Sequence, residues 1–415
     1  MGLNVTTDES ETVVSDPSSG VGGARSADAN IGRSVPDDGV RGESPGRESE
    51  SPPEESSPAE SSSAVENDEA DRKGAPLRRG RALVRASSEF ASEDRSRSWF
   101  YLLSTCFIFV GLLAACASSL PLALRIGLSV LAGLVQVRLF VIYHDYLHHA
   151  ILGKSKLASW IFQGFGLFTM SPASVWQETH DHHHRNNCRR FGFVNVGSFP
   201  VMTVDEYEAC SKSDQFKYRT IRHPLTIFGG YISVFLLGFC VQAICTRAAS
   251  RPSAILSLVT HFGAMGLAGW FFGVDAAILS VFLPAFIGGA LGSYLFYAQH
   301  NYPGAKYRTG ADWDYADAAL LSSSFFQMGP VFHWFTANIG YHHVHHLNSR
   351  IPFYRLPEAM DKLDELQQPG TTSLWPRDVL RCLSLALWDP ARDRLVSFAE
   401  ARTPANRSQG DPATT

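Results

Sequence analysis

The chain has 415 residues, of which 45% are hydrophobic and 18% are charged, and its formal net charge is −4. The slightly negative net charge does not indicate a basic surface for nucleic acid, so we expect no nucleic-acid partner. The seven cysteines are an odd set without a CxxC pair, which argues against a disulfide framework or a thiolate metal cluster.

The first 95 residues differ in composition from the rest of the chain. They are rich in Ser, Glu, Asp, Pro and Gly and contain almost no aromatic residues. Such a segment cannot bury enough apolar surface to offset its chain entropy. We therefore predict a disordered polar tail over residues 1–95, a membrane domain over 96–400 and a second disordered tail over 401–415.

Apolar runs of bilayer length begin directly after the tail. Residues 99–118 and 122–143 form the first pair, separated by a short turn that contains Pro121. Each run is long enough to cross a membrane as a helix. Lys and Arg residues gather before the first run, so the positive-inside rule places the N-terminus in the cytoplasm. Two crossings then return His144 to the cytoplasmic side.

The next run, residues 157–174, is short and interrupted by Gly and Pro, which favours an interfacial or half-inserted helix. Three longer runs follow at 224–246, 253–273 and 276–298. Three crossings would leave the histidines that follow residue 298 on the opposite side from His144. One of the three runs is therefore expected to re-enter or lie flat.

We predict that the run over 224–246 is the re-entrant one. Gly229 and Gly230 can break it, and Arg247 and Arg251 mark its far end as cytoplasmic. The predicted fold class is an all-α integral membrane protein. It has about four transmembrane helices, further interfacial or re-entrant helices, and a cytoplasmic helical cap.

The cap is expected to contain two helices after the last span. Residues 319–337 are predicted to form an interfacial helix. Two roles are open for its phenylalanines, packing in the core or lining an acyl site; they are Phe325, Phe326, Phe332 and Phe335. Residues 357–368 read as a soluble helix that Pro369 and Gly370 end.

Histidines gather in three clusters at the ends of apolar runs. The clusters hold His144, His148 and His149; His180, His182, His183 and His184; and His342, His343, His345 and His346. Residues three or four apart share one face of a helix, so most imidazoles of a cluster can point at one spot. Imidazole is a good ligand for iron, zinc, copper and nickel. A metal-buffering tract would lie in a polar low-complexity segment instead, so the clusters predict a built transition-metal site.

The clusters and the sequence motifs between them resemble those of a known family. The clusters follow the patterns HDxxH, HxxHH and HxxHH, and the flanking words are YHDYLHHAILGKSK, ETHDHHHRNN, TVDEY, RHPL, FYAQHNYPG, WDYADAAL and WFTANIGYHHVHHLNSRIPFYRLPEA. Over roughly residues 100–400 this set resembles the membrane-bound fatty acid desaturase and hydroxylase superfamily, in particular bacterial-type acyl-lipid desaturases.

The resemblance implies a di-iron centre, and nine imidazoles are more than one ion needs. The expected ligands are His144, His148, His180, His183, His184, His300, His342, His345 and His346. His300 lies outside the clusters, but its place in FYAQHNYPG resembles an additional family ligand. In the first cluster we expect His148 rather than His149, since a spacing of five rotates the second ring away from His144.

A further set of residues is expected to contact the ligand imidazoles without binding the metal. Carboxylates beside the clusters can accept imidazole N–H groups and fix their tautomers, and the remaining cluster histidines can lie in the same layer. These candidates are Asp145, Glu178, Asp181, His149, His182 and His343. For His223, His261 and His333 we predict ordinary structural roles.

The resemblance also implies a reaction. We expect O2-dependent desaturation that removes two hydrogens from a fatty acyl chain and leaves a cis double bond, with two Fe ions as cofactor. The substrate would be an acyl lipid or an acyl thioester. Electrons would come from a separate ferredoxin-like, flavodoxin-like or cytochrome b5-like protein, since the chain carries no cytochrome b5 haem motif. The expected location is the cell (inner) membrane, with the metal site and both termini cytoplasmic.

Two other functions remain open from the sequence. A hydroxylase or ketolase acting on lipid, carotenoid or alkane would share the same histidine clusters. A membrane metal transporter would instead place His and Asp within the spans themselves, whereas the clusters here lie at span ends.

Overall fold

The computed structural model describes residues 77–190 and 198–402, and these ranges are mostly helical. The longer helices of the first half are α1 (Gly80–Ser87), α2 (Arg95–Cys116), α3 (Leu122–Leu147), α4 (Lys156–Phe168), α5 (Ala173–Arg185), α6 (Val204–Ala209), α7 (Lys212–Ile221), α8 (Pro224–Phe228) and α9 (Tyr231–Thr246). Those of the second half are α10 (Arg251–Phe272), α11 (Val274–Ala298), α12 (Tyr315–Ser322), α13 (Pro330–Phe335), α14 (His342–Leu347), α15 (Leu356–Lys362), α16 (Pro376–Ser384) and α17 (Phe398–Arg402).

Short strands form three two-stranded pairs among these helices. They are β1 (Arg189–Arg190) with β2 (Arg308–Thr309), β3 (Phe325–Gln327) with β4 (Thr371–Ser373), and β5 (Leu387–Asp389) with β6 (Arg394–Val396). The first two pairs are parallel and the third is antiparallel. They tie together loops of the cap that are distant in sequence.

The four predicted membrane spans are confirmed as helices. Among the described residues, α2, α3, α10 and α11 are long and apolar enough to cross a membrane, with mean hydropathies between 1.5 and 2.0. α3 and α11 are the most buried of the four, and they pack against each other. The outer helices α2 and α10 expose apolar side chains such as Phe107 and Trp270, as expected for surfaces that face lipid.

The apolar run over 224–246 breaks where its two glycines predict. α8 ends at Phe228 and is followed by Gly229, and α9 begins as a π-helix at Tyr231. A Cβ atom on Gly230 would lie 2.3 Å from the carbonyl oxygen of Gly289 in α11, so only glycine allows this close approach. The residues that flank the run on both sides contact other segments of the chain. The guanidinium of Arg222, before the run, donates to the carbonyl oxygen of Pro200, and Arg247, after the run, forms an ion pair with Glu178 of α5.

Two predictions for the cap are wrong in detail. Residues 319–337 do not form one helix, because the chain is extended after Ser322 and β3 pairs with β4 before Pro330 starts α13. Proline at a first helical position fits such a restart, since its missing N–H needs no partner there. The helix predicted over 357–368 ends at Lys362. Leu363 is extended and buried, and a 3₁₀ turn follows over Asp364–Leu366.

The predicted N-terminal tail includes a folded segment. α1 lies inside residues 1–95, and Leu83 and Phe90 are each only 1% exposed in the main hydrophobic core. Arg78 forms a bidentate ion pair with Glu365, at 2.8 and 3.0 Å. The predicted boundary at residue 95 is therefore too late. Residues 1–76, and residues 403–415 of the predicted C-terminal tail, lie outside the described residues.

Most of the run over 157–174 forms α4, which is too short to span a bilayer. One face of α4 is buried through Ala158, Phe162 and Phe165, while Leu157 is 60% exposed and Trp160 is 78% exposed. An amphipathic helix with exposed apolar residues at one end suits the predicted interfacial position. α5 follows directly and carries the second histidine cluster.

Candidate metal centre

Four segments bring the histidines together at one end of the membrane helices. His144 lies in the last turn of α3 and His148 is the residue that ends it. The second cluster occupies the last turns of α5, and the third forms most of α14. His300 follows the end of α11 by two residues. The nine histidines that were predicted as ligands are each at most 8% exposed.

These nine side chains form two adjoining groups, in each of which the potential ligand atoms lie within 4.8 Å of one another. The first group contains His144, His148, His180, His184 and His345. The second contains His183, His300, His342 and His346. The groups meet where the rings of His184 and His346 stack, with their centroids 4.2 Å apart.

Within each group the Nε2 atoms converge. In the first, Nε2 of His180 lies 3.1 Å from that of His144 and 3.0 Å from that of His184. In the second, Nε2 of His300 lies 3.1 Å from that of His183 and 2.9 Å from that of His342. Nitrogen ligands about 2.1 Å from one ion are separated by roughly 3.0–3.4 Å when they are adjacent in octahedral or tetrahedral geometry. The donor set therefore fits a metal ion in each group.

Unpaired nitrogens point to the same conclusion. Nε2 of His148 is buried and, among the described residues, lacks a hydrogen-bond partner. A buried polar atom without a partner is costly and is rare in native proteins. A metal ion in the first group would give this nitrogen a partner.

The protonation states of the imidazoles suit metal binding. Burial lowers the pKa of His300 to about 4, and it lowers the pKa of the other predicted ligands outside the membrane spans well below 6.5. For these other ligands, neighbouring imidazoles lower the pKa further, because two positive rings would repel each other. The rings are therefore neutral at neutral pH, as a metal ligand must be.

Two acceptors fix the orientation of ligand rings. Oδ1 of Asp145 lies 3.1 Å from Nδ1 of His144, and the other carboxylate oxygen accepts the backbone N–H of Phe353. Nδ1 of His300 lies 2.9 Å from the carbonyl oxygen of Ser322. When Nδ1 carries the proton, the lone pair of Nε2 is directed into the group.

The other supporting candidates lie elsewhere. Glu178 pairs with Arg247 and is largely exposed, and Asp181 makes no hydrogen bond to an imidazole among the described residues. His149 is exposed with a φ of 58°, and His182 is half-buried outside both groups. His343 is fully buried, but its Nε2 faces the carbonyl oxygen of Leu366 instead of the groups. Only Asp145 therefore contacts a predicted ligand as expected.

Several neighbours of the groups were not predicted. Trp176 stacks on His180 with ring centroids 4.0 Å apart, and Phe296 lies 5.1 Å from the ring of His183. Trp176 precedes His180 by four residues on α5, so helical spacing alone could have identified it. The contacts of Phe353 and Ser322 involve backbone groups, for which the sequence carries no signal.

The remaining histidines have other contacts. His261 in α10 is fully buried between the hydroxyl of Tyr231, at 2.9 Å, and the carbonyl oxygen of Phe168, at 2.8 Å. The imidazole of His223 accepts the backbone N–H of Leu225 at the start of α8. Neither residue belongs to the two groups.

Comparison with known proteins agrees with this geometry. The family model described as "Fatty acid desaturase" matches residues 119–377. A protein named "Fatty acid desaturase" from Bacillus subtilis (strain 168) is 32% identical over 331 residues, which cover 76% of this chain and 90% of that protein.

Two cyanobacterial proteins are more distant relatives. The "sn-1 oleoyl-lipid 12-desaturase" of Synechocystis sp. is 24% identical over 54% of this chain and 64% of its own length. The "sn-1 acyl-lipid omega-3 desaturase (ferredoxin)" of Nostoc sp. is 23% identical over 68% of this chain and 80% of its own length. Together with four membrane-length helices and two buried histidine groups, these matches show that the chain is a multi-pass membrane protein of the fatty acid desaturase family.

Proposed function

We propose that this protein introduces a cis double bond into the acyl chain of a membrane lipid, using O2 and two iron ions held by the two histidine groups. One observation supports the proposal above all others. Nine buried imidazoles converge in two adjoining groups directly at the ends of apolar helices. This position would bring a metal centre close to acyl chains in the membrane.

The ligand assignment follows the two groups. His144, His148, His180, His184 and His345 would hold one ion, and His183, His300, His342 and His346 would hold the other. Zinc also binds imidazole, but it has no redox chemistry. Two iron ions bound here would supply the activation of O2 and the oxidation of the C–H bonds.

The protein's own residues prepare the site for this chemistry. Asp145 and the carbonyl oxygen of Ser322 hold the rings of His144 and His300 in the tautomer that binds metal. Trp176 and Phe296 cover the histidines with apolar surface. Exclusion of water by such residues protects an oxidising site from side reactions.

The overall reaction needs an external source of electrons. Removing two hydrogens from neighbouring CH2 groups while reducing O2 to two waters consumes two electrons and two protons. The name of the Nostoc relative includes ferredoxin, which supports a small soluble electron donor. The names of both cyanobacterial relatives refer to lipid-bound acyl chains, which supports an acyl lipid as the substrate.

We place the metal centre and both termini on the cytoplasmic side of the cell membrane. Exposed arginines, including Arg79, Arg81 and Arg95, precede the first span. The cytoplasmic side of a span carries this kind of excess. Four crossings, one by each membrane-length helix, would return the chain to the same side.

The direct test is product analysis after expression in a bacterial host. Gas chromatography and mass spectrometry of the fatty acid methyl esters should show new cis-unsaturated chains only when O2 is present, and the purified protein should contain about two irons per chain. A hydroxylated product would favour the hydroxylase alternative, and full activity under strict anaerobiosis would exclude the oxidative mechanism.

A matched pair of variants strengthens this test. His342→Ala removes a member of the second group, whereas His343→Gln changes the next residue of the same helix, which is equally buried but belongs to neither group. We expect the first variant to lose product and iron and the second to keep both.

A further inference from the structure

Arg138 is a buried cation without a carboxylate partner. It lies in α3, is 4% exposed, and has no Asp or Glu within ion-pairing distance among the described residues. Its guanidinium donates to the hydroxyl of Thr105 and to the carbonyl oxygen of Trp334. By contrast, the buried Arg125 of the same helix is paired with Asp275. The rings of Tyr101, Trp334 and Phe353 lie 4.4–5.8 Å from the guanidinium and partly stabilise its charge. Only two of its N–H groups have acceptors among the described residues, so an anionic ligand can accept the others.

The guanidinium forms part of the wall of a cavity of about 580 Å³. No described residue of the wall is a carboxylate, and its other members include Tyr101, His333, Trp334 and Tyr354. Nδ1 of His333 is buried and has no hydrogen-bond partner in the described part of the chain. This nitrogen has no access to the cavity space, so the guanidinium of Arg138 is the charged group of the wall that is available to a ligand.

A third basic residue lies beside the same cavity. Arg97 is exposed, and its guanidinium lies 4.7 Å from the centre of the Tyr354 ring. The carboxylate of Asp94 accepts the backbone N–H of Arg97, so the rim carries charges of both signs and the phosphate site rests on Arg138.

The surroundings of the cavity are apolar. α13, which contributes Trp334 to the wall, exposes Val331 by 65% and Phe332 by 42%. A short helix with exposed apolar side chains suits the boundary between headgroups and acyl chains. Such a position is accessible to an amphiphile that arrives from the bilayer.

The cavity also adjoins the metal centre. Its wall includes Tyr341, which precedes His342, and Phe353, whose N–H donates to Asp145 at 2.7 Å. Arg138 precedes His144 by six residues of one helix, which corresponds to about 9 Å along the axis. A headgroup held at Arg138 would therefore lie beside the site where the acyl chain reacts.

From these observations we infer that the cavity binds the phosphate of the acyl-lipid substrate through Arg138. This inference rests on the proposed function and names its substrate class as a phosphoglycerolipid. Esterification leaves the acyl group without a carboxylate, so the phosphate is the anionic group next to the acyl esters. The planar guanidinium fits phosphate through paired hydrogen bonds, and its unused N–H groups are available for them.

The test compares two lipids with the same acyl chains, phosphatidylglycerol and the uncharged monogalactosyldiacylglycerol. Initial rates are measured on the purified full-length enzyme in vesicles of each lipid. We expect the wild type to prefer phosphatidylglycerol, chiefly through KM. Arg138→Met should reduce this preference about tenfold, and Arg138→Lys should reduce it less because the charge remains. An exposed arginine outside the cavity wall provides the control, so Arg95→Met should keep the wild-type preference.

Calorimetry tests the site independently of turnover. Lysophosphatidylglycerol should bind the wild type more tightly than monoacylglycerol does, and Arg138→Met should remove the difference. If no lipid is desaturated by the wild type, the proposed function fails, but the calorimetry still decides whether the phosphate site exists.

Three results would overturn the inference. The first is an unchanged lipid preference in Arg138→Met, and the second is an equal loss of rate with both lipids. The third is saturation by inorganic phosphate with the affinity of the lysolipid, which would assign the site to a free anion. If Arg138→Met does not fold, Arg138→Lys is judged by the same ratio.

Discussion

Oδ1 of Asp145 lies 3.1 Å from Nδ1 of His144, its neighbour in the chain, while Oδ2 of the same carboxylate accepts the N–H of Phe353. The carboxylate thus connects the end of α3 to the segment that follows the third histidine cluster. An ionised carboxylate accepts hydrogen bonds and cannot donate them, so the proton of His144 is held on Nδ1 and Nε2 stays free.

Asp145→Asn should therefore impair metal binding with little change in shape. If the amide oxygen keeps the bond to Phe353, the NH2 group faces His144 and favours the tautomer with a proton on Nε2. We expect metal affinity to fall about 10- to 100-fold, measured by competition with a chelator. Glu178→Gln is the control, since Glu178 pairs with Arg247 and contacts no imidazole of the groups. Equal metal affinity in the two variants would contradict this role of Asp145.

His148 and His149 should differ sharply although they are adjacent. His148 belongs to the first group, whereas His149 is exposed with a φ of 58°. We expect His148→Ala to lose activity and part of the iron, and His149→Ala to keep both. Metal analysis and product yield check this expectation. The reverse result would exchange the assignments of the two residues.

His300 should behave as a ligand and His261 as a structural residue. Nε2 of His300 lies within 3.1 Å of two other imidazole nitrogens, whereas His261 is bonded to Tyr231 and to a backbone carbonyl. His300→Ala should insert normally but retain only about one iron per chain, because three imidazoles remain in its group. His261→Ala should keep its iron. Comparable iron content and turnover in both variants would remove His300 from the ligand set.

Truncation from the N-terminus should have a threshold between residues 76 and 91. Composition predicts that the polar tail is dispensable for chemistry, and α1 limits this prediction to residues 1–76, whose deletion should leave the product unchanged. Deletion of 1–91 also removes Leu83 and Phe90, which are each 1% exposed. Burial of such a side chain contributes about 1.5–3 kcal/mol, so the longer deletion should lower the melting temperature and the yield. Equal stability of both truncated proteins would show that α1 contributes nothing to the core.

Metal-free protein should lose stability on acidification. Burial lowers the pKa of His300 to about 4 from a usual value of 6.5. Between these values the unfolded chain binds the proton and the folded chain does not, so stability falls as the pH decreases from about 6.5 to about 4. Each such imidazole contributes a slope of up to about 1.4 kcal/mol per pH unit. Melting temperatures measured across this range check the sign, and a rise on acidification would contradict it.

Local patterns in the sequence were sufficient to predict the membrane helices and the identity of the clustered histidines. Apolar runs of bilayer length are a consequence of burying backbone hydrogen bonds in lipid, and they appear directly in the order of the residues. The spacing of His144 and His148, or of His180 and His184, likewise follows from the pitch of a helix. The glycines at 229 and 230 indicated a break in the same direct way.

Only the tertiary structure decided how the histidines are divided. His183 and His184 are neighbours on α5, yet they belong to different groups, because successive residues on a helix point about 100° apart and α14 and His300 supply the partners of each. The tertiary structure also decided the place of α1, because the polar composition of the whole tail hides the few apolar residues of this helix. Likewise, whether Arg138 has a carboxylate partner depends on the residues that pack against it. Contacts between residues distant in sequence set these features, and local periodicity carries no information about them.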